Sequence, residues 1–164
     1  MKKNVCTALC VIFLLCGCSV SGERIKEPVN FYYLKNELDY RSVDGVIACE
    51  EREASGHRDN LAYLLALYQM GASSEELRLP FPEKTVIYIA EQTDKEIKLV
   101  LGHEASDMSD AEFSLVCACL TLTCTDLTGT ERVTVTCDQR SITMTRESII
   151  LIDSTMTDKM EDTK

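Results

Sequence analysis

Chemistry in this chain has to come from nine cysteines, two histidines and 27 acidic residues. Cys117, Cys119 and Cys124 are crowded as metal ligands often are. They fall in a segment of helical apolar spacing, however, where residues two apart point about 200° from each other. Cys117 and Cys119 therefore cannot hold one ion between them, and Cys117 and Cys124 share a face two turns apart. Small apolar packing groups in a buried helix are the better reading, with pairing to Cys49 or Cys137 left open. A thiol or serine nucleophile needs a base. Only His57, among polar residues, and His103, close to Glu104 and Asp107, could supply one. A His103–carboxylate pair is the acid–base unit the spacing offers, and no glycine-flanked nucleophile accompanies it. Glu104, Asp107, Asp110 and Glu112 form an acidic cluster without the alternating ligands and central glycine of a calcium loop. Carboxylates of this kind favour the amino end of a helix. The expectation is no catalytic residue, no metal and no cofactor.

The elements that would position such groups start with an export signal. Lys2 and Lys3 precede an apolar run from Val5 to Leu15, shorter than the roughly 20 residues a membrane-spanning helix needs. The run ends in Leu15-Cys16-Gly17-Cys18, which resembles the lipobox of bacterial lipoproteins. That resemblance implies cleavage before Cys18 and acylation of its thiol, with two acyl chains making the anchor stable. A signal anchor that stays uncleaved is the alternative, which the short run disfavours. The expected organisation is a signal peptide at 1–17, a tether at 18–28, one domain at 29–152 and a flexible tail at 153–164. The domain would sit on the outer face of the cytoplasmic membrane. Its five remaining cysteines, Cys49, Cys117, Cys119, Cys124 and Cys137, are an odd number, so at least one thiol stays free.

Composition narrows the partners. A chain of 164 residues with 45% hydrophobic content builds one core. Its net charge of −10 gives no basic surface for nucleic acid.

Val29–Leu34 reads as a first strand, Asp44-Gly45 as a turn, and Val46–Cys49 as a second strand. From Asp59, Leu61, Leu64, Leu65 and Tyr68 recur at helical intervals and Gly71 ends the helix. Leu79-Pro80-Phe81-Pro82 breaks the pattern and leads to a strand at Thr85–Ala90, with a hairpin partner carrying Ile97, Leu99 and Leu101. Ser109-Asp110-Ala111-Glu112 is a capping-box signature. The helix it opens runs to about Leu127, closes at Gly129, and is apolar nearly all round, leaving Ser114, Ala118, Thr121 and Thr125 as its strip of small or polar residues. It should lie centrally on the sheet. Val133, Val135 and Cys137 mark a further strand, and Ile142 and Met144 begin its partner.

This order resembles one copy of the GerM domain. The stretch that carries it begins at the leucine-rich helix LAYLLALYQMG and continues from LPFPEKTVIYIA to the strand at Val133–Val135. Pro80, Pro82, Thr85, Ser109, Ala111, Glu112 and Leu120 stand where the family has its proline-bearing link, threonine, S-x-A-E box and apolar helix. The resemblance implies an α+β fold, one compact domain with two helices packed on a mainly antiparallel sheet. It also implies a non-catalytic role in protein–protein assembly of the cell envelope, with ring-forming or self-associating partners, in sporulation or germination. The working surface would be the helices' outer strip or a sheet edge. From a different class comes a regulator of peptidoglycan remodelling, or itself a hydrolase, because such domains accompany amidase modules. A zinc amidase needs at least two histidines and a carboxylate on one ion, and His57 and His103 are the whole supply.

Overall fold

In the computed structural model, which describes residues 27–149, strand β1 (Pro28–Lys35) puts Val29, Phe31 and Tyr33 on a buried face. The readings for residues 1–17, for Cys18, and for the chain from 150 through the tail at 153–164 lie outside the described residues. Strand β2 (Ile47–Glu53) pairs antiparallel with β1, Cys49 opposite Tyr32 and Glu53 opposite Pro28. It runs four residues past the expected end at Cys49, because β1 offers it a partner along its whole length and its outer residues tolerate charge. A short strand, β3 (Leu77–Arg78), that the alternation did not announce pairs with Leu34 and Lys35, so the first sheet has the order β2-β1-β3. Before β2 the chain closes a 3-10 turn at Val43–Gly45. A Cβ on Gly45 would stand 2.1 Å from the Asp39 carbonyl oxygen, so only glycine fits.

Helix α1 (Leu61–Gln69) starts where the Asn60 side chain accepts the Tyr63 amide at 3.1 Å, and it stops before Gly71 at φ +89°. Its buried side lays Tyr68 against β1. The Tyr68 ring stacks on Tyr33 at 4.8 Å, meets Phe31 edge-on at 5.6 Å and Phe81 at 6.0 Å. Its hydroxyl donates to the Tyr32 carbonyl at 2.8 Å, so the polar end of this fully buried side chain is satisfied.

The second sheet contains β4 (Ile87–Gln92), β5 (Glu96–Leu101), β6 (Arg132–Cys137) and β7 (Arg140–Thr145) in that spatial order. β4 begins two residues later than the expected Thr85, whose amide is drawn into a turn by the Pro82 carbonyl at 3.2 Å. β4 with β5 and β6 with β7 are antiparallel, but β5 and β6 are parallel. A tight turn cannot join parallel neighbours, so the chain crosses between them through helix α2 (Asp110–Thr128). The α+β class and the mainly antiparallel pairing hold, with the strands divided between two sheets.

The capping box at the start of α2 is complete: Ser109 Oγ accepts the Glu112 amide at 3.3 Å, and Glu112 Oε2 accepts the Ser109 amide at 2.8 Å. Gly129 at φ +73° ends the helix. Every residue from Val116 to Cys124 is buried. One side of the helix packs with Leu99, Val133 and Val135 of the second sheet, and the other reaches Leu34 and Ile47 of the first. The strip expected to be open is therefore corrected: Ala118 and Thr121 are covered, and Ala118 sits with Val46, Ile47 and Ile149. A helix placed against one sheet would have kept that strip in water, whereas this one is shared by two. Cys117 and Cys124 belong to the larger core and Cys119 to the smaller, as helical geometry requires of residues two apart.

On the side where β3 pairs only with Leu34 and Lys35, the rest of β1 meets the helix, and the Tyr32 amide donates to Thr123 Oγ1 at 3.0 Å. Thr123→Val keeps the shape and removes the acceptor, leaving an amide unpaired, so denaturant unfolding should show a loss of about 1–3 kcal/mol. Thr125→Val, whose hydroxyl bonds only its own helix, should cost distinctly less. All five described cysteines are free thiols; Cys49 is exposed and the others are buried. Burial pushes the Cys117 and Cys124 thiols up to about 12 from an ordinary 9.0. An aromatic disulfide reagent at neutral pH should then titrate one thiol in the native domain, Cys49, and the rest after unfolding. The folded chain holds those protons more tightly than the unfolded one, so this stability is fully present below pH 9 and is lost as pH rises toward 12. Melting temperature measured from pH 8 to 11 checks the sign.

Candidate functional site

Because β1 alternates, the residues between its core aromatics point the other way. Asn30 and Tyr32 converge on Asp126, in the last turn of α2, with Arg146 just beyond β7. The Tyr32 hydroxyl donates to Asp126 Oδ2 at 2.7 Å and Asn30 Nδ2 donates to the same oxygen at 3.3 Å. Arg146 holds the other carboxylate oxygen, donates to the Tyr32 hydroxyl at 3.3 Å and lies over its ring at 5.9 Å. Burial, then the Asp126 hydrogen bond, push the Tyr32 phenol up to about 12, so it acts as a donor and not as a base. Cys49, across the ladder from Tyr32, is pushed up by partial burial and then by Asp126. An activated thiol needs the opposite shift. The cluster therefore ties the end of α2, β1 and the chain after β7 together. Nothing in the spacing announced it, because Tyr32 and Arg146, which bond to each other, are 114 positions apart.

His103 does not pair with Glu104 or Asp107 as the spacing suggested. Its Nδ1 lies 3.3 Å from Asp138 Oδ2, and its side chain is 86% exposed. The parallel pairing of β5 and β6 is the reason: both strands end at the same edge, so the residue after one meets the residue after the other. His57 is exposed on the loop before α1, its ring 4.3 Å from Tyr63. The acidic loop is organised by Arg140, whose guanidinium donates to the Met108, Ala105 and Ser106 carbonyls at 2.6, 2.9 and 2.9 Å and covers the Phe113 ring at 4.7 Å. Asp110 is 3.9 Å from the same guanidinium and Glu112 closes the capping box, while Glu104 and Asp107 face solvent. Among the described residues no three His, Cys, Asp or Glu side chains gather as a metal-binding group.

One open groove, of about 780 Å³, lies where β1 ends, lined by Lys35, Asn36, Glu37, Glu50, Ser74 and Glu76 among others. Its inner wall is already engaged: the Glu50 carboxylate accepts the Ser73 and Ser74 amides at 2.9 and 3.0 Å and Arg52 at 3.2 Å. Burial opposes ionisation of Glu50, and those donors more than offset it, holding the carboxyl below its ordinary range. The groove is wide and its lining is acidic, with Glu37, Glu50, Glu75 and Glu76 against the single cation Lys35. Elsewhere the outer face of the second sheet exposes Tyr88, paired across the ladder with Val100, and Val86 beside them.

No protein-family profile matches the chain, and no curated protein matches it by sequence. Solved structures do resemble it. The first GerMN domain of the sporulation protein GerM from Bacillus subtilis superposes with a TM-score of 0.52 at 10% identity, covering 71% of this chain and 86% of that one. A candidate lipoprotein from Clostridium perfringens gives 0.46 at 17% identity over 76% of this chain and 91% of that one. The tandem GerMN domains of the same sporulation protein give 0.44 at 13% identity over 70% of this chain and 41% of that one. At 10% identity the first likeness speaks for architecture, and the architecture this chain adopts is that of the GerM-type domain.

Proposed function

We propose that this chain is a lipid-anchored protein of the cell envelope, held at the outer face of the cytoplasmic membrane by an acylated Cys18, and that its GerM-type domain acts without catalysis by assembling with other envelope proteins. Sporulation or germination is the setting we propose. The observation that carries the reading is the shared architecture with a domain of a sporulation protein. The surface chemistry agrees with it. The polar groups that draw attention are spent on holding elements together: Asp126 on Tyr32 and Arg146, Arg140 on three carbonyls, Glu50 on two amides.

The assembly surface in this proposal is the open face of the second sheet. The strip on α2 is covered at Ala118 and Thr121, and at two of the sheet edges pairing is discouraged, by charge along β2 and by a register shift between Ile89 and Glu91 on β4. The open face of the second sheet carries Val86, Tyr88 and Val100 instead. An exposed aromatic beside β-branched neighbours is the composition protein contacts favour.

Short-range crosslinking in intact cells, followed by capture of the protein and mass analysis of its Cys18 peptide, tests the proposal. Recovery of membrane-associated assembly components together with a diacylated Cys18 is the expected result, with yield reduced several-fold by Tyr88→Ser and unchanged by Tyr40→Ser, an exposed tyrosine elsewhere. An unmodified amino terminus overturns the anchor. Release of soluble fragments from peptidoglycan by the purified protein overturns the non-catalytic role.

A further inference from the structure

The anchor and the fold together fix which end of the domain meets the lipid. Glu27, where the described chain begins, is bound at one pole: its carbonyl accepts the Ala54 amide at 3.1 Å and its carboxylate accepts the Gly56 amide at 2.9 Å. Arg58 donates to the Pro28 carbonyl beside it. The chain thus enters the domain at the pole where β1 starts and β2 ends, and this entry point is held by three hydrogen bonds. Pro28 lies ten residue steps after Cys18, and that length of chain spans at most about 33–36 Å when fully extended. The eight residues of β1 then carry the chain about 25 Å away from that pole, toward the groove at Lys35–Glu37. Bringing the groove end to the bilayer would require the tether to run back along the domain over about 25 Å of its reach, at the expense of much of its conformational freedom.

Resting on the reading of Cys18 as the lipid anchor, we propose that the pole formed by Glu27, Pro28 and residues 55–60 is a membrane-apposed surface, docked at the level of the lipid headgroups, and that the groove beyond Lys35 faces outward. The chemistry of the pole fits a headgroup layer. Ser55, Gly56, His57, Arg58, Asp59 and Asn60 are all exposed, and none is an apolar side chain that would insert into hydrocarbon. They carry both signs of charge, so the contact is set by the tether and by polar complementarity and does not depend on anionic lipid.

The test uses the full, acylated chain in phosphatidylcholine vesicles containing a small fraction of nickel-chelating lipid. Cys49→Ser removes the exposed thiol, and a single nitroxide is placed by Ser55→Cys or by Glu37→Cys, both at exposed positions. The expected result is that headgroup nickel relaxes the Ser55 label at least roughly threefold more than the Glu37 label, as a separation of about a strand length demands. Equal relaxation at both sites, or stronger relaxation at Glu37, overturns the orientation while leaving the anchor intact. A chain that does not float with the vesicles overturns the anchor, and the orientation with it.

Discussion

A helix with no side turned to water through its middle is the constraint on which this structure depends. From Val116 to Cys124 every side chain of α2 is buried, which a single sheet cannot achieve, since a sheet covers one side of a helix and leaves the other open. Two sheets are needed, and the rest of the topology supplies them. The crossover through α2 makes β5 and β6 parallel and puts the helix on one face of the second sheet. β1 then closes the remaining side, with its Tyr32 amide satisfied by Thr123. Small side chains at Cys117, Ala118, Cys119 and Thr121 let both sheets approach, as close packing requires where three layers share one axis.

The same constraint explains which parts could be read in advance. Features that follow from neighbours in sequence were legible: the box at Ser109 and Glu112, the glycine stops at Gly71 and Gly129, and the alternation of Ile97, Leu99 and Leu101. The all-round apolarity of α2 was legible as well, and it implied central burial. How that burial would be shared was not, because a run of apolar residues does not say whether one sheet or two will cover it. The exposed strip was inferred from residue type alone, and threonine and alanine are as comfortable inside as outside when a neighbour fits. β3 was missed because two residues carry no period.

The candidate site divides in a similar way. The geometric argument that kept Cys117 and Cys119 from one metal ion is reproduced by their places in separate cores. The partner of His103 was misjudged because sequence proximity was used for a loop whose neighbour is set by strand direction, and Asp138 arrives from 35 positions away. The Asp126 cluster was invisible for the same reason. Long-range polar contacts depend on which ends of which strands coincide, and that is a property of topology before it is a property of residues.

Taken as electrostatics, these clusters fix the protonation states of their members. A nucleophile or base needs its charged or deprotonated form favoured near neutrality. Here burial and a carboxylate neighbour act on Tyr32 and Cys49 to favour the protonated forms, and the buried thiols of α2 are driven the same way by the core around them. Glu50 is held ionised, but by backbone amides that occupy its oxygens. Each group is fixed in the state that serves its hydrogen bonds, so the polar interior works as a set of clasps between elements distant in sequence.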